Sequence, residues 1–143
     1  MTGDAERIKT LRERTGKTAD EVASVAGLGD MAYFDVESYD DELRTVLSLG
    51  QVKQLADALG VATVALFVDD ATTIQRHITY GELVSLVQGH LASGHNREAL
   101  EEEVGWDLGA LWIASQRLFS GDCVEFLEAL CPRIGIDWIA ALP

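Results

Sequence analysis

The chain has 143 residues, of which 24 are acidic and 11 are Lys or Arg, so its formal net charge is −13. Its hydrophobic fraction of 48% and charged fraction of 24% are those of a folded globular protein, not of a disordered one. No stretch approaches the roughly 18 consecutive apolar residues that span a bilayer, and the net charge opposes nucleic-acid binding unless a basic face forms locally.

The N-terminus and the cysteines indicate the same compartment. Residues 1–14 are polar and lack the apolar core of a secretory signal. Cys123 and Cys131 are eight residues apart on one predicted helix. That separation is about 12 Å of helical rise, too far for a disulfide. Two free thiols suit a reducing environment, so we expect a cytoplasmic protein.

Apolar periodicity and helix-end signals predict five elements in the first half of the chain. In chain order they are a helix over 5–15 ending at Gly16, a helix opened by the capping box Thr18 and Glu21 and ending at Gly27, a helix over 30–38, a helix opened by Ser48 and ending at Gly60, and a short helix over 61–67. The acidic segment 39–45 is predicted to be a loop. The inner faces are predicted to hold Ile8, Leu11, Val22, Val25, Ala26, Tyr33, Val36, Val52, Leu55, Ala56 and Leu59.

A polar segment, 69–73, precedes a second helical half. Its predicted helices run from the Thr79–Glu82 capping box to Ala92, from Asn96 to Gly105, from Leu108 to Phe119, from Cys123 to Arg133 with a bend at Pro132, and within 134–143. No run alternates with a period of two, so we predict no strands. The expected protein is all-α, with a first domain over 1–70 and a second small helical domain over 74–143.

The two halves resemble each other. Residues 52–67 align without gaps to residues 127–142 at an offset of 75, and the alignment pairs Gly60 with Gly135. Upstream, residues 18–27 align to 96–105 at an offset of 78. One interpretation is a tandem repeat of a single helical unit. The other is that any two short helices joined at a glycine look alike.

The second and third predicted helices have the spacing of a helix-turn-helix. Helices that cross steeply through a tight turn need a small residue at their contact and a glycine at the turn, and Ala23 and Gly27 are those residues. The wider pattern is Arg7-Ile8-Lys9-x-Leu11-Arg12, Glu21-Val22-Ala23-x-x-Ala26-Gly27-Leu28, Glu37, Leu55-Ala56-x-x-Leu59-Gly60-Val61 and Leu66-Phe67. With these residues, 6–67 resembles the lambda-repressor-like (Cro/CI, Xre-type) helix-turn-helix family. The resemblance implies a five-helix domain, a transcriptional regulator, and a Glu37 that ties the third helix to the scaffold.

The positions that read DNA in this family carry unsuitable residues here. The family contacts base edges from the start of the second helix and the exposed side of the third, where this chain has Ala19, Asp20, Gly29, Asp30, Met31, Ala32 and Asp35. Between Thr18 and Leu43 there are eight carboxylates and no Lys or Arg. We therefore expect Asp20, Asp30, Met31 and Asp35 to form a face for a protein partner with a basic surface, or for a second copy of the chain in a dimer.

The one basic cluster lies on and just after the first helix, and two interpretations stay open. It comprises Arg7, Lys9, Arg12, Arg14 and Lys17. These residues could contact DNA phosphates, which would position the protein without reading sequence. Alternatively, they form a solvated helix face paired with Glu6 and Glu13.

Other chemistry-bearing residues do not form a recognisable motif. His77, His90 and His95 lack metal-ligand spacing and are expected at the surface or at helix ends, and Glu101–Glu103 is expected to be a solvated helix face. The aromatic residues Trp106, Trp112, Phe119, Phe126 and Trp138 fit a helical core. We expect no cofactor, no metal and no enzymatic activity. The expected function is non-enzymatic regulation through protein contacts, and the alternative is a sequence-specific DNA-binding repressor.

Overall fold

Capping side chains and glycines divide the chain into short helices. A computed structural model describes residues 3–69, 77–109 and 123–143. Within these ranges lie eight α-helices: α1 (Asp4–Thr15), α2 (Ala19–Ala26), α3 (Asp30–Ser38), α4 (Glu42–Thr45), α5 (Leu49–Leu59), α6 (Tyr80–Ala92), α7 (Arg97–Val104) and α8 (Val124–Leu130). Three 3-10 helices span Thr63–Leu66, Cys131–Ile134 and Trp138–Ala141. These ranges contain no strand, only one antiparallel bridge between Ser48 and Cys123, so the all-α prediction is confirmed for them.

The predicted helix starts are made by side-chain caps. The Thr18 and Thr79 hydroxyls each accept a hydrogen bond, 3.2 Å long, from the backbone three residues ahead. Ser48 forms a complete capping box, because its hydroxyl accepts from the Gln51 backbone and the Gln51 side chain accepts from the Ser48 backbone. Such reciprocal bonds satisfy two amide groups that a helix start leaves unpaired.

One predicted element differs in the structure. Segment 39–45 is not simply a loop, because Glu42–Thr45 forms a helical turn that buries Leu43. The interruption expected at Pro132 in the helix over 123–133 is present, since α8 ends at Leu130 and a 3-10 helix containing Pro132 follows. Proline lacks an amide proton and its ring crowds the preceding turn, which ends the α-helical pattern. Most of the predicted helix from Leu108 to Phe119 lies outside the described residues.

A single cluster of buried side chains connects residues from both halves of the chain. Its largest fully buried members include Ile8, Tyr33, Leu55, Leu83, Phe126 and Leu127. The predicted division into domains over 1–70 and 74–143 stays a prediction, because a shared core describes packing and not independent folding. Of the predicted boundary segment 69–73, residues 70–73 lie outside the described ranges.

The aromatic residues of the second half are only partly core. Phe126 is fully buried, and the half-buried Trp106 ring meets it edge-on at a centroid distance of 5.8 Å. Trp138 is also half-buried and meets Phe67 edge-on at 5.5 Å. Trp112 and Phe119 lie outside the described part of the chain.

An ion-pair network around Arg44 holds the N-terminal helix to the C-terminal segment. The Arg44 guanidinium donates to Asp4 at 2.6 Å and pairs with Glu128 at 3.2 Å. It also lies 5.3 Å from the ring centroids of Phe67 and Trp138. Cations favour this position over aromatic faces. One side chain on α4 therefore joins α1, α8 and two 3-10 helices.

Asp4 is the buried centre of this network. Its side chain is 8% exposed and accepts from Arg7 as well as from Arg44. We expect Asp4→Ala to lower the free energy of unfolding by about 3 kcal/mol, because two partly buried guanidinium groups lose their shared carboxylate. Urea unfolding at neutral pH measures this change. Asp57→Ala, which removes the exposed pair with Lys53, is the matched control and should change stability by less than about 0.5 kcal/mol. If the two variants lowered the free energy of unfolding equally, the ion pairs of Asp4 would not stabilise the fold more than an exposed pair does.

The thiol of Cys131 should make the fold sensitive to alkaline pH. Burial, together with the nearby carboxylate of Asp137, raises its pKa to about 12. A thiol whose folded pKa is raised stabilises the fold fully below its unfolded pKa of about 8.5, and that contribution is lost as the pH rises toward 12. We expect Cys131→Val to remove about 2 kcal/mol of the stability loss seen between pH 8 and pH 10. Urea unfolding of both proteins at each pH gives the free energy of unfolding as a function of pH. The difference between the two profiles isolates the thiol, because both proteins contain Tyr33, and burial also raises the pKa of Tyr33. Parallel pH profiles would contradict this prediction.

Candidate functional site

The turn between α2 and α3 determines how the exposed sides of these two helices lie next to each other. α2 ends at Gly27, which has a φ of 71°, and the Leu28 backbone donates to Ala23 at 2.9 Å. A residue at positive φ followed by this bond is the usual way to close a helix before a sharp turn. Ala23 and Tyr33 are each 1% exposed, so they form the contact between the two helices.

A buried ion pair fixes α3 against α1. The Nε atom of Arg12 donates to Oε1 of Glu37 at 2.7 Å, and the two side chains are only 17% and 12% exposed. The hydrogen bond that Arg12 donates to Glu37 raises the pKa of Arg12. Arg12 also donates to the Lys17 carbonyl at 3.3 Å. The structure thus gives Glu37 the anchoring contact that the family resemblance implies.

The exposed side of α2 and α3 combines apolar and acidic residues. We name it the α2/α3 face and define it by Asp20, Val25, Asp30, Met31, Phe34 and Asp35. Met31 is 73% exposed, Val25 64% and Phe34 60%. Asp20 and Asp30 are exposed and Asp35 is half-buried. The structure therefore places all four residues predicted for a partner-binding face on these two helices.

Two members of this face were missed at the level of sequence. Val25 was predicted to face inward with Val22, yet only Val22, Ala23 and Ala26 of α2 are buried. On a helix with about 100° between consecutive residues, Val25 lies about 60° from Val22 and about 100° from Ala26, at the edge of the buried stripe. Phe34 directly follows the buried Tyr33, and the rotation of about 100° between consecutive helix residues turns it out of the core. The signal was available, since Tyr33 and Val36 already define the buried side of α3.

A small cleft lies between the two helices on this face. Its volume is about 280 Å³, and it is lined by Ala19, Asp20, Ala23, Asp30, Met31, Tyr33, Phe34 and Glu37. The Tyr33 hydroxyl is buried and makes no hydrogen bond of acceptable geometry within the described residues. Burial and the Glu37 carboxylate raise the pKa of the Tyr33 hydroxyl, and the nearby Arg12 partly offsets this increase. The cleft therefore has apolar walls and an acidic rim.

Negative charge continues from α3 into α4. Partial burial, followed by repulsion from the carboxylates of Asp35 and Asp41, raises the pKa of Glu42. A raised carboxyl pKa indicates that its surroundings resist more negative charge. The field on this side of the molecule would also repel phosphates.

The basic cluster of α1 is largely committed to internal contacts. Arg7 donates to Asp4 and Asp69 at 2.8 Å each, Arg12 is paired with Glu37, and the Lys17 ammonium donates to the Ala58 carbonyl at 3.2 Å. The described ion pairs are thus with Asp4, Asp69 and Glu37, whereas the sequence pattern pointed to Glu6 and Glu13. Lys9 and Arg14 are exposed on α1.

The histidines form a contact that the sequence did not indicate. The rings of His90 and His95 stack with centroids 3.8 Å apart and planes 8° from parallel, and His77 is exposed. Across the described ranges, no group of three His, Cys, Asp or Glu side chains is arranged to hold a metal ion. Within the same ranges, no helix has the length and apolar character needed to cross a bilayer.

Comparisons of the chain with family models, with curated proteins and with solved structures gave no match.

The Arg12–Glu37 pair yields a test of how the face is supported. We expect Glu37→Ala to lower the free energy of unfolding by about 3 kcal/mol, because Arg12 remains partly buried without a carboxylate. The double variant Arg12→Met/Glu37→Leu, which replaces both charges by apolar groups, should recover most of this loss. Thermal and urea unfolding measure both changes. If the double variant is as unstable as the single one, the pair does not act as a unit.

Proposed function

We propose that the chain is a non-enzymatic regulatory protein built on a helix-turn-helix scaffold, which acts by binding another protein through its α2/α3 face. The observation that carries this proposal is the composition of that face. It exposes Met31 and Phe34 beside Asp30 and Asp35, at the positions where a DNA-binding relative would need neutral donors or cations. Exposed apolar clusters rimmed by polar residues are typical of protein interaction sites.

The order and contacts of the first helices support a lambda-repressor-like scaffold. α2 and α3 are joined by a glycine turn, with Ala23 and Tyr33 buried at their contact. α5 packs against α2, and with the following 3-10 helix and α1–α3 it gives the five elements that the family resemblance implies, while the short α4 turn is an additional element between α3 and α5. The Arg12–Glu37 pair supports the same assignment.

Several structural features recur 75 residues apart, which supports a tandem repeat whose second copy of the helical unit is degenerate. The 3-10 helices Thr63–Leu66 and Trp138–Ala141 begin 75 residues apart, and Gly60 and Gly135, also 75 apart, have φ values of 70° and 78°. Ser48 and Cys123 are related by the same offset, and each precedes the first residue of a helix. The antiparallel bridge joins these two equivalent positions, and equivalent positions meet in this way where an internal two-fold axis passes between them.

DNA binding is the weaker candidate because of how the charges are distributed. Three of the five basic residues of the α1 cluster donate to groups within the fold. Affinity for DNA comes largely from cations that neutralise phosphates. The carboxylates of the α2/α3 face would instead lie beside the phosphates if α3 entered the major groove.

Charge reversal on the face tests the proposal. We expect Asp30→Arg/Asp35→Arg to abolish binding of the protein's cellular partners while leaving its helical content and unfolding midpoint nearly unchanged. Tagged protein and quantitative mass spectrometry measure the bound partners. Glu102→Arg/Glu125→Arg is the matched control, because it alters the net charge equally at exposed positions on α7 and α8. Identical partner profiles for wild type and both variants would contradict the proposal.

A DNA titration separates the two candidate functions. Fluorescence polarisation with duplex fragments from around its own gene, at 50 mM salt, should show no binding by the wild type. Saturable binding that weakens steeply as the salt concentration rises, and that is lost on Lys9→Ala/Arg14→Ala, would replace our proposal with the DNA-binding alternative.

A further inference from the structure

We infer that the cleft between α2 and α3 receives a Lys or Arg side chain from a helix of the protein partner, whose neighbouring apolar residues cover Met31 and Phe34. The inference deepens the proposed function and rests on it. It specifies the partner as a basic amphipathic helix and specifies where the partner's central cation binds.

The dimensions and lining of the cleft favour a long side chain with a charged end. Its volume of about 280 Å³ is at the small end for ligand pockets, below the range of drug-sized sites. Ala19 and Ala23 form apolar walls, and Asp20 and Asp30 contribute carboxylates. Lys and Arg combine an apolar stem with a charged head, so the stem can lie on the walls while the head meets the acids.

The interior of the cleft has unused hydrogen-bonding capacity. Tyr33 is 1% exposed, and its hydroxyl has no hydrogen bond of acceptable geometry among the described residues. Arg12 lies near this hydroxyl, but a hydroxyl oxygen can accept two hydrogen bonds, so it keeps an acceptor position for a donor that enters from the partner. Glu37 also lines the cleft, and Arg12 contacts its Oε1 atom.

The surroundings of the cleft favour a helix as the element that carries the cation. Met31 and Phe34 are exposed on α3 and also line the cleft, so they form an apolar surface at its edge. An amphipathic helix laid on such a surface presents residues at three- and four-residue spacing to it. A cation one turn from leucines would then reach the cleft while the leucines contact Met31 and Phe34.

A second copy of this chain fits the face less well. Pairing two α2/α3 faces would bring Asp20, Asp30 and Asp35 of each copy together, and like charges across an interface are strongly unfavourable. The net charge of −13 adds to this repulsion. A basic helix instead complements both the local and the overall charge.

The test uses a defined peptide as the probe. It is a 16-residue alanine-based helix with one central arginine, leucines three and four residues to either side, and no acidic residue. Nitrogen-15 NMR titration of the full chain at 50 mM salt should show saturable shifts confined to the amides of α2 and α3. Because one cation and four leucines form the contact, we expect a Kd of about 1 mM or below.

A peptide with citrulline, which is neutral and similar in shape, should bind about tenfold more weakly, as expected for loss of a charge-assisted hydrogen bond. A lysine peptide distinguishes ammonium from guanidinium recognition.

Variants of the chain locate the binding site. Asp20→Asn/Asp30→Asn should weaken the arginine peptide about tenfold and leave the citrulline peptide unchanged, whereas Glu102→Gln/Glu125→Gln should affect neither. Met31→Ser/Phe34→Ser should weaken both peptides, and Leu86→Ser, an exposed apolar residue on α6, is its control. The NMR spectra themselves report whether each variant folds.

The outcomes separate this inference from the proposed function. Equal affinity for arginine and citrulline peptides, shifts outside α2 and α3, or no binding of any peptide would overturn the cation-binding cleft. If the cleft fails while Asp30→Arg/Asp35→Arg still abolishes partner binding, the face binds a partner of different chemistry. If that double variant keeps its partners, the proposed function itself fails, whatever the peptides do.

Discussion

The burial of the Asp4 carboxylate is the constraint on which the arrangement of the chain depends. A charge that is 8% exposed must be paired, because desolvation would otherwise cost several kcal/mol. Arg7 and Arg44 supply the pairing, and Arg44 is in turn held by Glu128 and by two aromatic rings. Burial of Asp4 therefore requires α4 beside α1, and Arg44 extends this contact to the C-terminal segment. The Asp40 side chain adds a further link, since it accepts from the Ala5 backbone at 3.1 Å.

This use of the basic residues explains how the molecule comes to present an acidic surface. Arg7, Arg12 and Arg44 have side chains at most 28% exposed, each paired with carboxylates inside the fold. With few cations in the chain, these pairs leave α2 and α3 without compensating positive charge. The same arrangement that stabilises the fold thus produces the negative, partly apolar surface on which the functional proposal depends.

Helix ends could be predicted well because they depend on local chemistry. Thr18, Ser48, Thr79 and Asn96 cap helices where the sequence indicates, and Gly27, Gly60 and Gly105 end them. The α4 turn could not be predicted, since it depends on Leu43 reaching the core and Arg44 reaching Asp4. The acids of the face were identified from the helix-turn-helix spacing, but the exposure of Val25 and Phe34 was not. The exposure of Phe34 could have been predicted from the buried Tyr33 and Val36, whereas Val25 lies at the edge of the buried stripe of α2, where the packing of neighbouring helices decides its exposure.

The contacts between distant residues have a kinetic consequence. Thr63 donates to the Pro143 carbonyl at 2.7 Å, and Ile78 donates to the Ala140 carbonyl at the same distance. The first bond closes a loop of 80 residues, whereas the contact between α2 and α3 closes a loop of only about ten. Long loops lose more entropy on closure and generally form later. We therefore expect the helices of the α2/α3 face to associate early in folding, with the C-terminal segment docking onto α4 and the 3-10 helix Thr63–Leu66 afterward. A chain that folds in this order would have its binding surface assembled before its final core is sealed.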